Sequence, residues 1–160
     1  MDRINRILAH PLWIQAVADI RELEKDRIFC KHTVEHFLDV ARLGYIEALE
    51  RHMAVPKEQI YAAALLHDIG RAEQYRSGTP HDQAGADLAR TILAGCGFSE
   101  DETREIAAAI LGHRKPDTGT RQDLAGILYR ADKASRMCLF CKVQKECNWS
   151  DEKKNLVLRN

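Results

Sequence analysis

The dipeptide His67-Asp68 stands at the end of an apolar run, Tyr61 to Leu66, whose pattern predicts a buried helix. A His–Asp pair can cap a helix end and bond internally. An ionised carboxylate beside a buried helix is nevertheless costly unless a cation accompanies it. A divalent metal is the most economical partner, because imidazole and carboxylate are both good ligands. Other ligand-type residues fall in register with the apolar faces of their own predicted helices. His36 lies four residues before Val40, and His81 seven before Leu88, in step with Ala84 and Ile92. His113 continues the stripe of Ile106 and Ile110, and Asp132 follows Leu124 and Leu128. Taken singly, each histidine reads more simply as a hydrogen-bonded core residue. Taken together they converge from five helices, which is how helix bundles build metal centres. His52 also fits its stripe and receives no role, and His10 opens a helix.

The elements that must position these groups all read as helices. Pro11 suits a first turn, and Trp13, Val17, Ile20 and Leu23 follow at helical spacing. A second helix is predicted from near Lys31, with Phe37, Val40, Ala41, Tyr45 and Ala48 on one stripe. Pro56 opens a third, which ends in His-Asp-Ile-Gly with Gly70 as its stop. Arg71 to Thr79 is polar and reads as a loop. Pro80 opens a fourth helix, closed by Gly95 and Gly97. Ser99 and Glu102 form a capping-box pattern, which Thr120 and Asp123 repeat. No segment alternates at period two for long enough to make a strand, so the fold class is all-α. The chain divides into a bundle over 1–137 and an appendage over 138–160 that carries cysteines and a charged tail.

The chain has 160 residues, the length of one domain. Lys+Arg and Asp+Glu number 24 each, so the formal charge is zero. That argues against a nucleic-acid polymer or an anionic membrane as partner, since either calls for a basic excess. The N-terminus has no long apolar core or small-residue cleavage site, and the longest apolar run is too short to span a bilayer. A cytoplasmic location is expected. There, five cysteines are thiols or metal ligands more often than disulfides.

The order His36, His67-Asp68, Asp132 resembles the HD-domain superfamily of metal-dependent phosphohydrolases. The local contexts are similar too: HFLDVA at 36–41, ALLHDIG at 64–70, HDQAGADLA at 81–89 and ILYRADK at 127–133. The resemblance spans roughly residues 30–136. It implies an HD-domain bundle of about six to seven helices. It further implies that His36, His67, Asp68 and Asp132 hold a first metal and that Asp68 bridges to a second. His81 and His113 match positions that complete a two-metal site in dinuclear members, or shuttle a proton if they bind none. The catalytic set would be His67, Asp68, His81 and His113. One or two ions of Mn, Fe, Mg, Co or Zn would activate a hydroxide to attack phosphorus and stabilise charge on the phosphoryl oxygens. The GYP motif is absent, so cyclic dinucleotide cleavage is not favoured. Arg71, Lys133, Arg114 and Lys115 follow the ligand motifs and are candidates to hold substrate phosphate, or else are solvated surface charges. The expected partner is a small phosphorylated substrate, a nucleotide above all, and a homodimer stays open. The alternatives are a di-iron oxygenase on the same ligands and a non-catalytic metal or nucleotide sensor.

Two further patterns need weighing. His32 and His36 share a helix face as in zinc proteases, but the acid is Glu35 where the motif needs it at 33, which is Thr33. A protease is therefore rejected, and His32 either caps the helix or stands behind the ligands. Cys138, Cys141 and Cys147 form C-x2-C-x5-C, and Cys30 becomes a fourth ligand if the tail folds back. Four thiolates would suit structural zinc or an iron–sulfur cluster. The competing reading is reduced thiols packed under the tail. Cys96 looks unrelated.

Overall fold

The structure, a computed structural model, describes residues 1–157. The last three residues of the predicted appendage, 158–160, lie outside the described residues. Among the described residues there are eight α-helices and no strand: α1 (Asp2–Ala9), α2 (Pro11–Leu23), α3 (Val34–Glu50), α4 (Lys57–Leu66), α5 (Arg71–Ser77), α6 (His81–Cys96), α7 (Glu100–Gly112) and α8 (Leu124–Ala134). Two short 3-10 turns, Pro116–Thr120 and Cys138–Phe140, flank α8. None of the described helices is long and apolar enough to cross a membrane.

The Ala- and Leu-rich sequence of α4 makes it the axis of the bundle. It buries Ile60 and every residue from Ala62 to Leu66, and α1, α3, α6, α7 and α8 pack around it. A helix apolar on nearly all sides can only be satisfied in that position. Trp13 of α2 buries its ring and donates its indole N–H to the Leu65 carbonyl at 2.9 Å, which fixes α2 against the end of α4. His67-Asp68 leave the end of this central helix, so the bundle delivers them to its interior.

Local signals set the helix starts. Thr33 accepts from the His36 amide, so α3 begins at Val34 and not near Lys31. Ser99 and Glu102 make the expected reciprocal box. The repeat of that pattern does not form: Asp123 alone caps α8, and Thr120 ends a 3-10 turn. α6 runs through Gly95 and stops at Cys96, because only Gly97 takes the left-handed conformation, at φ +85°. Two elements were not anticipated. α1 buries Ile4 and Ile7, with Leu8 partly buried against the core, on a helix only 8 residues long. α5 stands where a loop was expected; it buries only Ala72, so its sequence carries no amphipathic stripe.

Gly70 is not a left-handed stop, since its φ is −77°. Its role is steric. A Cβ there would lie 2.2 Å from the His81 carbonyl oxygen and 2.4 Å from the Gly85 amide nitrogen. The α4–α5 turn thus presses directly on the first turn of α6 and brings His81 up to Asp68.

Candidate metal centre

The ligand-type residues converge at the end of α4. His36 (α3), His67 and Asp68 (after α4) and Asp132 (α8) place one ligand atom each within 4.8 Å of one another, and so do Asp68, His81 (α6) and His113 (end of α7). All six are buried. The two groups share Asp68, whose oxygens face opposite ways. Asp68 Oδ2 lies 3.0 Å from His67 Nε2 and 3.8 Å from His36 Nε2. Asp68 Oδ1 lies 3.2 Å from His81 Nε2 and 3.8 Å from His113 Nε2. Asp132 Oδ1 completes the first group, 3.5 Å from His36 Nε2 and 3.7 Å from His67 Nε2.

Each histidine is turned inward by a bond on its other nitrogen. His67 Nδ1 meets the Ala64 carbonyl at 2.7 Å, and His113 Nδ1 the Ile110 carbonyl at 2.5 Å. His81 Nδ1 meets Gln74 Oε1 at 2.6 Å. His36 Nδ1 meets Ser135 Oγ at 3.1 Å, while that hydroxyl donates to the Asp132 carbonyl at 2.7 Å. An acceptor at Nδ1 holds the proton there and leaves the Nε2 lone pair for a metal. His36 Nε2 and His67 Nε2 are buried without a hydrogen-bond partner. Orphaned inward nitrogens beside two carboxylates are what a divalent ion satisfies, so the residues fit one.

The electrostatics follow from burial and neighbours. Burial pushes His36 and His113 down to about 4 and lowers His81, keeping them neutral as ligands must be. Burial would lower His67 too, but the Asp68 and Asp132 carboxylates overcome it and raise His67 to about 9. Burial opposes ionisation of Asp68 and Asp132, yet His67 and its neighbours hold both well below the usual carboxylate range.

Of the predicted phosphate-binding residues, two reach the centre. Arg71 Nε lies 3.0 Å from Asp68 Oδ1, and Lys133 Nζ lies 2.5 Å from Asp132 Oδ2. Arg114 and Lys115 are exposed, and Arg114 faces Asp82 at 3.6 Å. Cys138 is buried, Cys141 and Cys147 are half-buried, Cys30 is exposed, and all four are free thiols. His52 lines a separate depression with Met53 and Arg121, remote in the fold from Asp68. His10 caps α2, accepting from the Leu12 amide.

Of the two roles expected for His32, it does not cap α3 and stands behind the ligand groups. It is buried, with Nδ1 2.5 Å from Glu24 Oε1 and Nε2 3.6 Å from Asp68 Oδ2. Glu24 also accepts from the Tyr75 hydroxyl at 2.6 Å, and it sits at about 2, because His32 and Tyr75 outweigh its burial. Glu24, Tyr75, Gln74, Ser135 and Arg136 escaped the sequence reading. Arg136 Nη2 lies 3.3 Å from Asp132 Oδ1. Only Ser135 and Arg136, directly after the Asp132 motif, left a positional signal.

Comparison with known proteins gives the family. Residues 33–137 match the HD domain family model. The chain belongs to the HD domain family. It is 45% identical to an uncharacterized protein of Clostridium beijerinckii, over 99% of both chains. It is 29% identical over 126 residues to a Ribonuclease Y of Oleidesulfovibrio alaskensis and spans 22% of that protein's length. It is 30% identical over 122 residues to a bifunctional uridylyltransferase/uridylyl-removing enzyme of Gluconobacter oxydans, spanning 12% of it. Among solved structures it is similar to a predicted HD superfamily hydrolase from an uncultured Thermotogales bacterium, with a TM-score of 0.63 and 25% identity over 88% of this chain and 80% of that one. The chain thus has the fold of an HD superfamily hydrolase, with His/Asp clusters that could hold a metal.

Proposed function

We propose that the protein is a divalent-metal-dependent phosphohydrolase that cleaves a small phosphate ester or anhydride, a nucleotide above all. The observation that carries this reading is the sharing of Asp68 between two ligand groups, with one oxygen toward each. A carboxylate so placed suits a bridge between two ions. A pair of divalent ions, when bound, supplies an acidic water and charge for the oxygens of an in-line phosphoryl displacement.

The chain's own residues do the rest. Asp68, Asp132 and the four histidines hold the ions. The bonds from Ala64, Ile110, Gln74 and Ser135 keep the imidazoles aimed. Arg71 and Lys133 stand beside the ligand carboxylates on partly exposed side chains, where an incoming phosphate would meet them. The relatives that bear on nucleotide chemistry are much longer than this chain, and its balanced charge supports a small substrate over a polymer.

The test is metal analysis of protein purified without added metal, paired with phosphate release from a nucleotide panel. The expected result is one or two divalent ions per chain and turnover that chelators abolish. Asp68→Ala should lose both. Full metal content and full activity in that variant would sink the reading.

A further inference from the structure

Beyond α8 the chain has no α-helix among the described residues, and Cys138 is its one buried apolar side chain. Such a segment has too little core to hold itself in place, and small coreless pieces need a disulfide or a metal. Its three cysteines, Cys138, Cys141 and Cys147, and Cys30 before α3 are free thiols.

The segment folds back toward the connection that carries Cys30. Arg136 Nη1 reaches the Lys31 carbonyl at 3.5 Å, so the start of the appendage lies against the α2–α3 connection that carries Cys30. Cys138 and Cys141 sit on one turn, closed by the Cys141 amide on the Cys138 carbonyl at 3.1 Å, and Gln144 Nε2 reaches the same carbonyl at 2.9 Å. The end of the segment is strapped back: Asn155 Nδ2 donates to the carbonyls of Lys133, Ala134 and Arg136 at 2.8, 3.2 and 2.9 Å. Partial desolvation raises the Cys30 thiol, the Arg136 guanidinium opposes this, and the charges of Cys138, Cys141 and Cys147 raise it again. Each of the three is therefore near enough to act on it. Lys154, only 10% exposed, feels Cys147 and Cys138 from the other side.

We propose that Cys30, Cys138, Cys141 and Cys147 form a second, all-thiolate metal site, of iron–sulfur cluster type, which clamps the C-terminal segment to the bundle. Thiolates are soft ligands that select zinc or iron–sulfur clusters. A tetrahedral zinc with bonds of about 2.3 Å would draw its sulfurs to about 3.8 Å from one another. Among the described residues, no three cysteine sulfurs come within 4.8 Å of one another. A wider ligand frame suits a cluster, whose cysteines bind separate iron atoms. Binding releases the thiol protons to solvent, and Arg136 and Lys154 offset the resulting negative charge.

The test uses the full chain, purified anaerobically and then supplied with ferrous and ferric iron in equal amounts and with sulfide, with zinc alone in a parallel sample. The expected result is iron and acid-labile sulfide in equal amounts, with a broad visible absorption. Cys138→Ser/Cys141→Ser and, separately, Cys30→Ser should lose the sulfide and the absorption. Cys96→Ser, a thiol buried elsewhere, should keep both. Asp68→Ala should also keep the sulfide, which separates this site from the HD centre. Circular dichroism and the metal content of the HD centre report whether the cysteine variants still fold. Sulfide that survives in folded cysteine variants would overturn the site. Stoichiometric zinc with no sulfide uptake would overturn its identity as a cluster.

Discussion

Gly70→Ala should damage the metal centre without touching a ligand. The added methyl would lie 2.2 Å from the His81 carbonyl oxygen and 2.4 Å from the Gly85 nitrogen. Both obstacles are backbone, so neither can rotate away. Relief requires the α4–α5 turn and the start of α6 to separate by about 1 Å, an overpacking distortion that costs about 1–3 kcal/mol. For a chain of this size that lowers the melting temperature by roughly 3–10 °C. The same movement carries His81 Nε2 away from Asp68 Oδ1, now 3.2 Å distant. A misplacement of about 1 Å can cost on the order of 100-fold in rate. Gly78→Ala is the control. Its φ of +81° penalises any side chain, but nothing lies within 4 Å of the added atom. It should cost about 1 kcal/mol and leave the site intact. The assays are thermal unfolding by circular dichroism, metal stoichiometry and phosphate release. If Gly70→Ala melts and turns over like the parent, close backbone approach is not what this glycine provides.

Three further outcomes follow from the surroundings of the ligands. Glu24→Gln removes a carboxylate held at about 2; because that value is depressed, its contribution of roughly 3 kcal/mol is full above the ordinary carboxyl range and fades as pH falls toward 2. Urea unfolding at several pH values should therefore show parent and variant converging in acid, and a gap constant from neutral to acid pH would contradict the assignment. Ser135→Ala frees the His36 ring and should weaken metal binding about 10- to 100-fold with little loss of helix content; unchanged affinity in a metal titration would show that the hydroxyl does not orient the ligand. Arg71→Met should raise KM about 10- to 100-fold and change kcat less, and an unaltered KM would remove Arg71 from phosphate binding.

The residues that converge at the candidate centre were legible because their signal is local. Each sits on the apolar stripe of its own helix, where a polar residue stands out, and His67-Asp68 closes a run too apolar to be anything but central. The residues that orient them were illegible for the opposite reason. Ser135 meets His36 across 99 residues, and Tyr75 meets Glu24 across 51. No helical period relates such pairs. α5 shows the limit most clearly. Its polar sequence reads as a loop, since Ala72 is its only buried residue, and its helicity is justified by Gln74 on His81 and Tyr75 on Glu24. α1 did leave a trace, Ile4 and Ile7 three apart, but eight residues is too short a window for periodicity to decide.

A buried cluster of histidines and carboxylates could in principle be a structural ion-pair network, and the geometry distinguishes the two. A network evolved for stability satisfies its polar atoms within itself, because an unpaired buried group costs about 1–3 kcal/mol. Here the bonds from Ala64, Ile110, Gln74 and Ser135 all fall on the outer nitrogen of their imidazole. The inner nitrogens of His36 and His67 are left without a partner although two carboxylates lie within 4 Å. A core built only to stabilise would turn those rings by one nitrogen and close the bonds. The chain instead accepts two unpaired imidazole lone pairs at its centre, sets Arg71, Lys133 and Arg136 against the outer edges of Asp68 and Asp132, and keeps His36, His81 and His113 neutral. That combination fits a cluster that could hold a metal ion between the rings.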